Sequence, residues 1–312
     1  MLLFLAAPVL AGDTALEWLQ RMNDAGSRLS YSGTFVYLHD DQMEAMRVVH
    51  RVDGGSTRER LYSLNGEARE VLRDDQQVWC YLPNRKIGIQ EFRKAANGTF
   101  PNVLPGHPGQ LTDNYELRLS GEARVADRMT RAVTLGARDG FRYTHRFWID
   151  TETGLLLKAD LADSSGRAVE QYMFTDIRIG GGVSDADLEP STPQGDLVWH
   201  GERVDYTPFK GEKGGWKLIA LPPGFMLTSD IVRYLPVQQA PVRHLVYSDG
   251  LASFSVFIEK MHSGGRKPMR GLTRMGAVHA FGKMMAGHQI TVVGEVPEQT
   301  VLAVAGSVQA RR

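Results

Sequence analysis

Between residues 31 and 174 the apolar pattern repeats every two residues in short runs, and this series of strands constrains the fold of the 312-residue chain more than any other feature. The runs fall at 31–38, 43–52, 58–64, 67–72 and 78–82, and again at 115–119, 132–135, 143–149, 155–161 and 168–174. Asp40-Asp41, Asp53-Gly54-Gly55, Asn65-Gly66 and Asp74-Asp75 separate the first five, and such residues tolerate the positive φ angles of tight hairpin turns. Asn65-Gly66 is the strongest of these turn signals. About ten short strands in hairpin order predict a strongly curved antiparallel sheet or an open barrel.

Ahead of the strands, Ala15, Leu16, Leu19, Met22, Ala25 and Leu29 recur at steps of three and four, which predicts one amphipathic helix over 13–29 with Asp13 as its N-cap. After them, residues 180–195 are Gly, Ser, Pro and acids with Val183 and Leu188 as the only large apolar side chains, a linker composition. Beyond it, strands are expected at 216–221, 243–248, 252–260, 277–281 and 289–293, closed by a helix over 298–307. The expected division is therefore a large β-rich domain over 12–179, a linker over 180–195 and a small α+β domain over 196–312.

Residues 1–11 form an apolar run ending in small residues, with Val9 and Ala11 at the −3 and −1 positions of a cleavage site. That reads as the remnant of a secretory signal peptide and predicts export, although no Lys or Arg precedes Arg21. Apolar residues make up 42% and charged residues 23%, enough for a core in each domain. The net charge of 0 hides an imbalance: 22 Lys and Arg face 27 Asp and Glu up to residue 195, against 14 and 9 beyond it. The C-terminal part is thus suited to an anionic partner.

Motifs for chemistry are missing. No pair among the nine histidines has zinc-ligand spacing with another His, Cys or carboxylate, so neither a metal nor a cofactor is expected. There is no Gly-x-Ser-x-Gly elbow, and Cys80, the one cysteine, lies between Val78-Trp79 and Tyr81-Leu82 as a buried, inert thiol. The stretch 276–284 imitates a phosphate loop but has one residue too many between its glycines and Met284 where Ser or Thr should hold magnesium, so it reads as a strand. Asp185-Ala-Asp-Leu-Glu189 is too short for a calcium loop and reads as solvated linker. No catalytic residues emerge.

Two features point to binding. A curved sheet covered by one helix can enclose an apolar cavity, and Phe35, Tyr37, Leu61, Trp79, Tyr81, Phe92, Phe147, Leu155, Leu157 and Tyr172 are the candidates to line one. In the small domain Lys260, Arg266, Lys267, Arg270 and Arg274 lie within fifteen residues that contain no acid, a basic loop suited to phosphates or an acidic peptide. Nucleic acid is disfavoured because the chain carries no known binding motif and looks exported.

The segments Ala15-Leu-Glu-Trp-Leu-Gln-Arg-Met22, Tyr31-Ser-Gly-Thr-Phe-Val-Tyr37, Arg60-Leu-Tyr-Ser-Leu-Asn-Gly66, Arg146-Phe-Trp-Ile-Asp-Thr-Glu-Thr-Gly-Leu-Leu-Leu-Lys158 and Gly294-Glu-Val-Pro297 together resemble the RseB/MucB family of periplasmic sigma-factor regulators. The resemblance implies a mainly β, α+β chain: a half-open antiparallel barrel similar to the LolA/LppX lipoprotein carriers, covered by a helix, plus a smaller α+β domain. It implies a periplasmic protein that binds the periplasmic part of a membrane-anchored, RseA/MucA-like anti-sigma factor and shields it from regulated proteolysis. Release would follow lipid or lipopolysaccharide signals. A homodimer is left open. The alternatives are a periplasmic lipid or lipoprotein carrier, expected to end after one domain, and an envelope hydrolase, which would need a nucleophile or metal set.

Overall fold

The computed structural model describes residues 13–92, 104, 108–201, 215–234, 241–261 and 267–310. The leader and Arg266 lie outside these, as does the side chain of Phe92.

Helix α1 (Ala15–Arg28) is capped by Thr14, not Asp13. The reason is the spacing Thr-x-x-Glu: Thr14 Oγ1 accepts the Glu17 amide, and the Glu17 carboxylate accepts the Thr14 amide at 2.6 Å. Asp13 instead pairs with Arg21 at 3.1 Å. The helix buries Trp18, Leu19, Met22 and Ala25.

The strands that follow are β1 (Tyr31–His39), β2 (Gln42–Asp53), β3 (Ser56–Ser63), β4 (Glu70–Arg73), β5 (Gln77–Leu82), β6 (Ile87–Phe92), β7 (Tyr115–Val125), β8 (Arg128–Ala137), β9 (Thr144–Asp150), β10 (Leu156–Ala162), β11 (Ala168–Ile179) and β12 (Val198–Gly201). They form one twelve-stranded sheet in the order β12-β6-β5-β4-β3-β2-β1-β11-β10-β9-β8-β7. Among the described residues its two edges, β7 and β12, do not pair, so the barrel is half-open. Asp40 and Asp41 turn β1 into β2 with φ of 45° and 60°, as their sequence suggests. Asn65-Gly66 does not make a two-residue hairpin. Asn65 instead accepts the Ala45 amide and donates to Met43 O, closing a wider loop against β2 and delaying β4 to Glu70.

Pairing across the strands defines two faces. Gly33, Val48, Leu61, Val71, Cys80 and Ile89 follow one another across the sheet on the inner face, which also carries Tyr31, Phe35, Phe147 and Phe174. Helix α1 packs over the β7–β8 side of the sheet. The outer face carries the 180–195 segment: Asp185 meets Arg51 at 2.7 Å and Arg58 at 3.5 Å, Asp187 O accepts from Arg60, and the Ser191 amide donates to Glu70. The chain then pairs β12 parallel to β6, with Trp199 over Gly88, where an added Cβ would stand 2.6 Å from the indole.

The second sheet, β14 (Met226–Tyr234), β15 (Pro241–Ser248), β16 (Ser253–Lys260), β19 (His288–Gly294), β18 (Val278–Met285) and β17 (Gly271–Met275), is antiparallel in that order. Helix α2 (Glu298–Ser307) lies against β18 and β19, and a short pair, β13 (Trp216–Leu218) with β20 (Val308–Ala310), completes the domain. Phe225, Phe254, Val256, Ile290, Val292, Val301 and Val304 form its core. The phosphate-loop look-alike is the β17–β18 hairpin turn and strand β18.

Candidate ligand cradle and domain seam

The inner face of the large sheet brings most of the apolar candidates together. Tyr37, Tyr172, Ala159, Phe147 and Val133 stand opposite one another on five successive strands, with Phe35 beside Phe174 one row away. Leu155 and Leu157 are wholly buried in the same cluster as Phe35. Phe147 packs with Trp18, Leu19 and Met22 of α1. Tyr37, Leu61 and Tyr172 are only half-buried. Trp79 and Tyr81 do not join them. Side chains alternate along β5, so with Cys80 on the inner face its two neighbours point outward. There Tyr81 meets the Trp199 ring edge-on at 5.2 Å and accepts from Gln194. Val71 and Ile89, which complete the inner row, were not singled out from sequence, and only the register identifies them; Cys80, expected to be buried, is half-buried on this face.

The basic stretch divides as well. Lys260, Lys267 and Arg270 are exposed, whereas Arg274 reaches the large domain and pairs with Asp40 at 3.0 Å. It begins a polar seam between the domains. Asp40 also accepts the Gly276 amide, and Glu170 accepts the Ala277 amide and the Tyr37 hydroxyl, each at 2.6 Å. The Tyr143 hydroxyl donates to Ala277 O at 3.2 Å. Two carboxylates of the large domain thus hold consecutive amides of the β17–β18 turn. Gly276 is required there: its φ is 58°, and an added Cβ would lie 2.3 Å from the Glu170 carboxylate.

A second contact runs the opposite way. Asp249, in the β15–β16 turn, accepts Leu251 and Ala252 amides on Oδ1, while its Oδ2 takes Arg142 Nε at 2.7 Å and the Tyr115 hydroxyl at 3.1 Å. Arg142 further donates to Pro223 O at 2.7 Å and lies over the Phe225 ring. Both charged residues are buried, Arg142 at 3% exposure and Asp249 at 7%. Thr300 Oγ1 donates to Phe141 O, attaching the start of α2.

One carboxyl at this seam is out of its usual range. Desolvation, the charge of Glu170 and a hydrogen bond to it push Glu295 up to about 7. A carboxyl whose folded pKa exceeds its unfolded value stabilises the fold below the unfolded pKa of 4.5, and that contribution is lost as pH rises towards 7. Glu295 stands exposed on one side, so solvent screens part of the effect. Glu295→Gln should therefore raise stability by about 1 kcal/mol at pH 8 and leave it unchanged at pH 4. Buried His145, pushed down to about 4 by desolvation, gives the opposite trend because its neutral form is favoured. Thermal melts of both proteins across this range isolate Glu295 by difference; equal gains at pH 4 and pH 8 would refute its role.

Comparison with known proteins finds a family model for each of two parts of the chain. The family model described as the MucB/RseB N-terminal domain matches residues 14–192, and the MucB/RseB C-terminal domain matches 210–309. The sigma factor AlgU regulatory protein MucB of Pseudomonas aeruginosa is 34% identical over 311 residues, covering 98% of this chain and 94% of its own. The sigma-E factor regulatory protein RseB of Escherichia coli K12 is 28% identical over 306 residues, covering 93% and 89%. The crystal structure of MucB in complex with MucA(peri) superposes with a TM-score of 0.72 at 31% identity, covering 96% of this chain and 99% of that one. The chain belongs to the MucB/RseB family.

Proposed function

We propose that this chain is a periplasmic negative regulator that binds the periplasmic part of a membrane-anchored anti-sigma factor and protects it from regulated proteolysis. The observation that carries this reading is the near full-length likeness, in both domains together, to MucB in complex with MucA(peri). The protein acts by binding, without catalysis of its own. Its small domain supplies the principal partner contact, with exposed Lys260, Lys267 and Arg270 attracting acidic groups together with Arg266, their neighbour in sequence outside the described residues; Arg274 is engaged with Asp40. Acyl chains of a releasing lipid enter the half-buried side of the inner face near Tyr37, Leu61 and Tyr172.

The test is a protection assay with the host's own anti-sigma periplasmic segment and the first regulated protease, with and without added lipopolysaccharide. Protection by the chain, relieved by the lipid, is expected; cleavage at the unprotected rate would defeat the proposal. Rim charges act mainly on association, so Lys267→Glu with Arg270→Glu should slow binding by about threefold at low salt and flatten its salt dependence. Stopped-flow association at several ionic strengths measures this, and an unchanged salt slope would place the contact elsewhere.

A further inference from the structure

The outer face of the large domain holds a cationic cavity with no role in the reading above. Arg47, Arg60 and Arg178 line it with Ser32 and Tyr62, and Asp187 of the overlying 180–195 segment borders one side, enclosing about 160 Å3. The register explains the convergence. Arg178, Ser32, Val49 and Arg60 stand opposite one another on four adjacent strands, so the two arginines flank a gap of about 14 Å at ~4.8 Å per strand. Arg47 stands one residue row away, opposite Thr34 and Tyr62. Val49 forms a floor and is 5% exposed.

Against the three arginines stand the carboxylates of Asp187, on the cavity wall, and Glu70, paired with Arg60, which leaves one positive charge in excess. Arg60 shares its Nε with Glu70 at 2.5 Å and donates to Asp187 O. The Asp187 carboxylate is held by the Ser184 amide and hydroxyl, at 2.9 and 2.7 Å. Arg47 bonds only the Thr34 hydroxyl, at 3.4 Å, and Arg178 makes no ion pair or hydrogen bond among the described residues. Asp176 lies on the same face beyond Thr34 but does not line the cavity. Arg178 therefore faces the cavity without a carboxylate partner among the described residues, and Arg47 feels the Asp187 charge without a hydrogen bond to it.

We infer that this cavity is a binding site for a phosphoryl group, carried by a free phosphate or by a phosphorylated lipid headgroup. A carboxylate satisfies one planar guanidinium fork, whereas the forks of Arg47 and Arg178 with the remaining N–H groups of Arg60, approaching from different strands, match the several oxygens of a tetrahedral dianion. Ser32 and Tyr62 add hydroxyl donors at its sides. The site lies on the opposite face from the apolar cradle and on the other domain from the exposed basic stretch, so it stands independently of anti-sigma binding.

The test uses the full chain alone, with inorganic phosphate and short-chain dihexanoyl phosphatidic acid as probes, read by calorimetry and phosphorus NMR at matched ionic strength. Arg178→Ala should weaken binding about tenfold and Arg47→Ala comparably, while Arg118→Ala, an exposed arginine of β7, should leave it unchanged. Neither cavity variant removes an ion pair among the described residues, and circular dichroism confirms that each is folded. Competition between the two probes would show that the phosphoryl group itself is recognised; binding of only one identifies its source. Wild-type affinity in both cavity variants, or failure of the wild-type chain to bind either probe, overturns the assignment.

Discussion

Arg142→Ala is expected to cost about 3–5 kcal/mol, because it leaves the buried Asp249 carboxylate without its cationic partner in a place water does not reach. It also frees Pro223 O and removes the guanidinium from above the Phe225 ring. The melting temperature should fall by about 10 °C, and the single transition should split as the domains unfold separately. Asp249→Asn retains an acceptor for the Leu251 and Ala252 amides, so Arg142→Met combined with Asp249→Asn should recover much of the loss by replacing the ion pair with uncharged groups. Thermal denaturation of the three variants, with solution scattering to follow separation of the domains, decides the matter. A shift of less than 2 °C in Arg142→Ala would mean that the seam is held without this pair.

Phe147→Ala should be as severe, about 3–5 kcal/mol, since the ring is 1% exposed among Trp18, Leu19 and Met22 and its removal leaves a cavity that α1 cannot collapse to fill. Leu61, on the same inner face but half-buried, should lose only about 1–2 kcal/mol when truncated to Ala. The contrast divides the inner face into a closed core under the helix and a more open side. Urea denaturation of the two variants measures it. If Phe147→Ala proves mild while acyl-chain binding falls, the Phe147 region is itself part of a ligand cavity.

The periodicity of the chain determined its elements. Helix α1, the β1–β2 hairpin at Asp40-Asp41 and helix α2 at Glu298–Ser307 were legible because each depends on contacts a few residues apart, which sequence spacing displays. Strand β6 escaped notice with its mixed Ile-Gly-Ile-Gln-Glu-Phe pattern, and so did β12, whose only pairing among the described residues is parallel and joins residues more than a hundred positions apart. The inward turn of Cys80 and the outward turn of Trp79 and Tyr81 required the register of four neighbouring strands. Composition marked 180–195 as a linker, but the arginines that hold its acids come from β2 and β3, over a hundred residues earlier. Arg274 looked like one more surface cation until the fold placed Asp40 beside it. Which way a strand's side chains face, and which charges meet across a seam, depend on pairings between distant segments. A single sequence records each partner's chemistry and leaves their meeting to the tertiary structure.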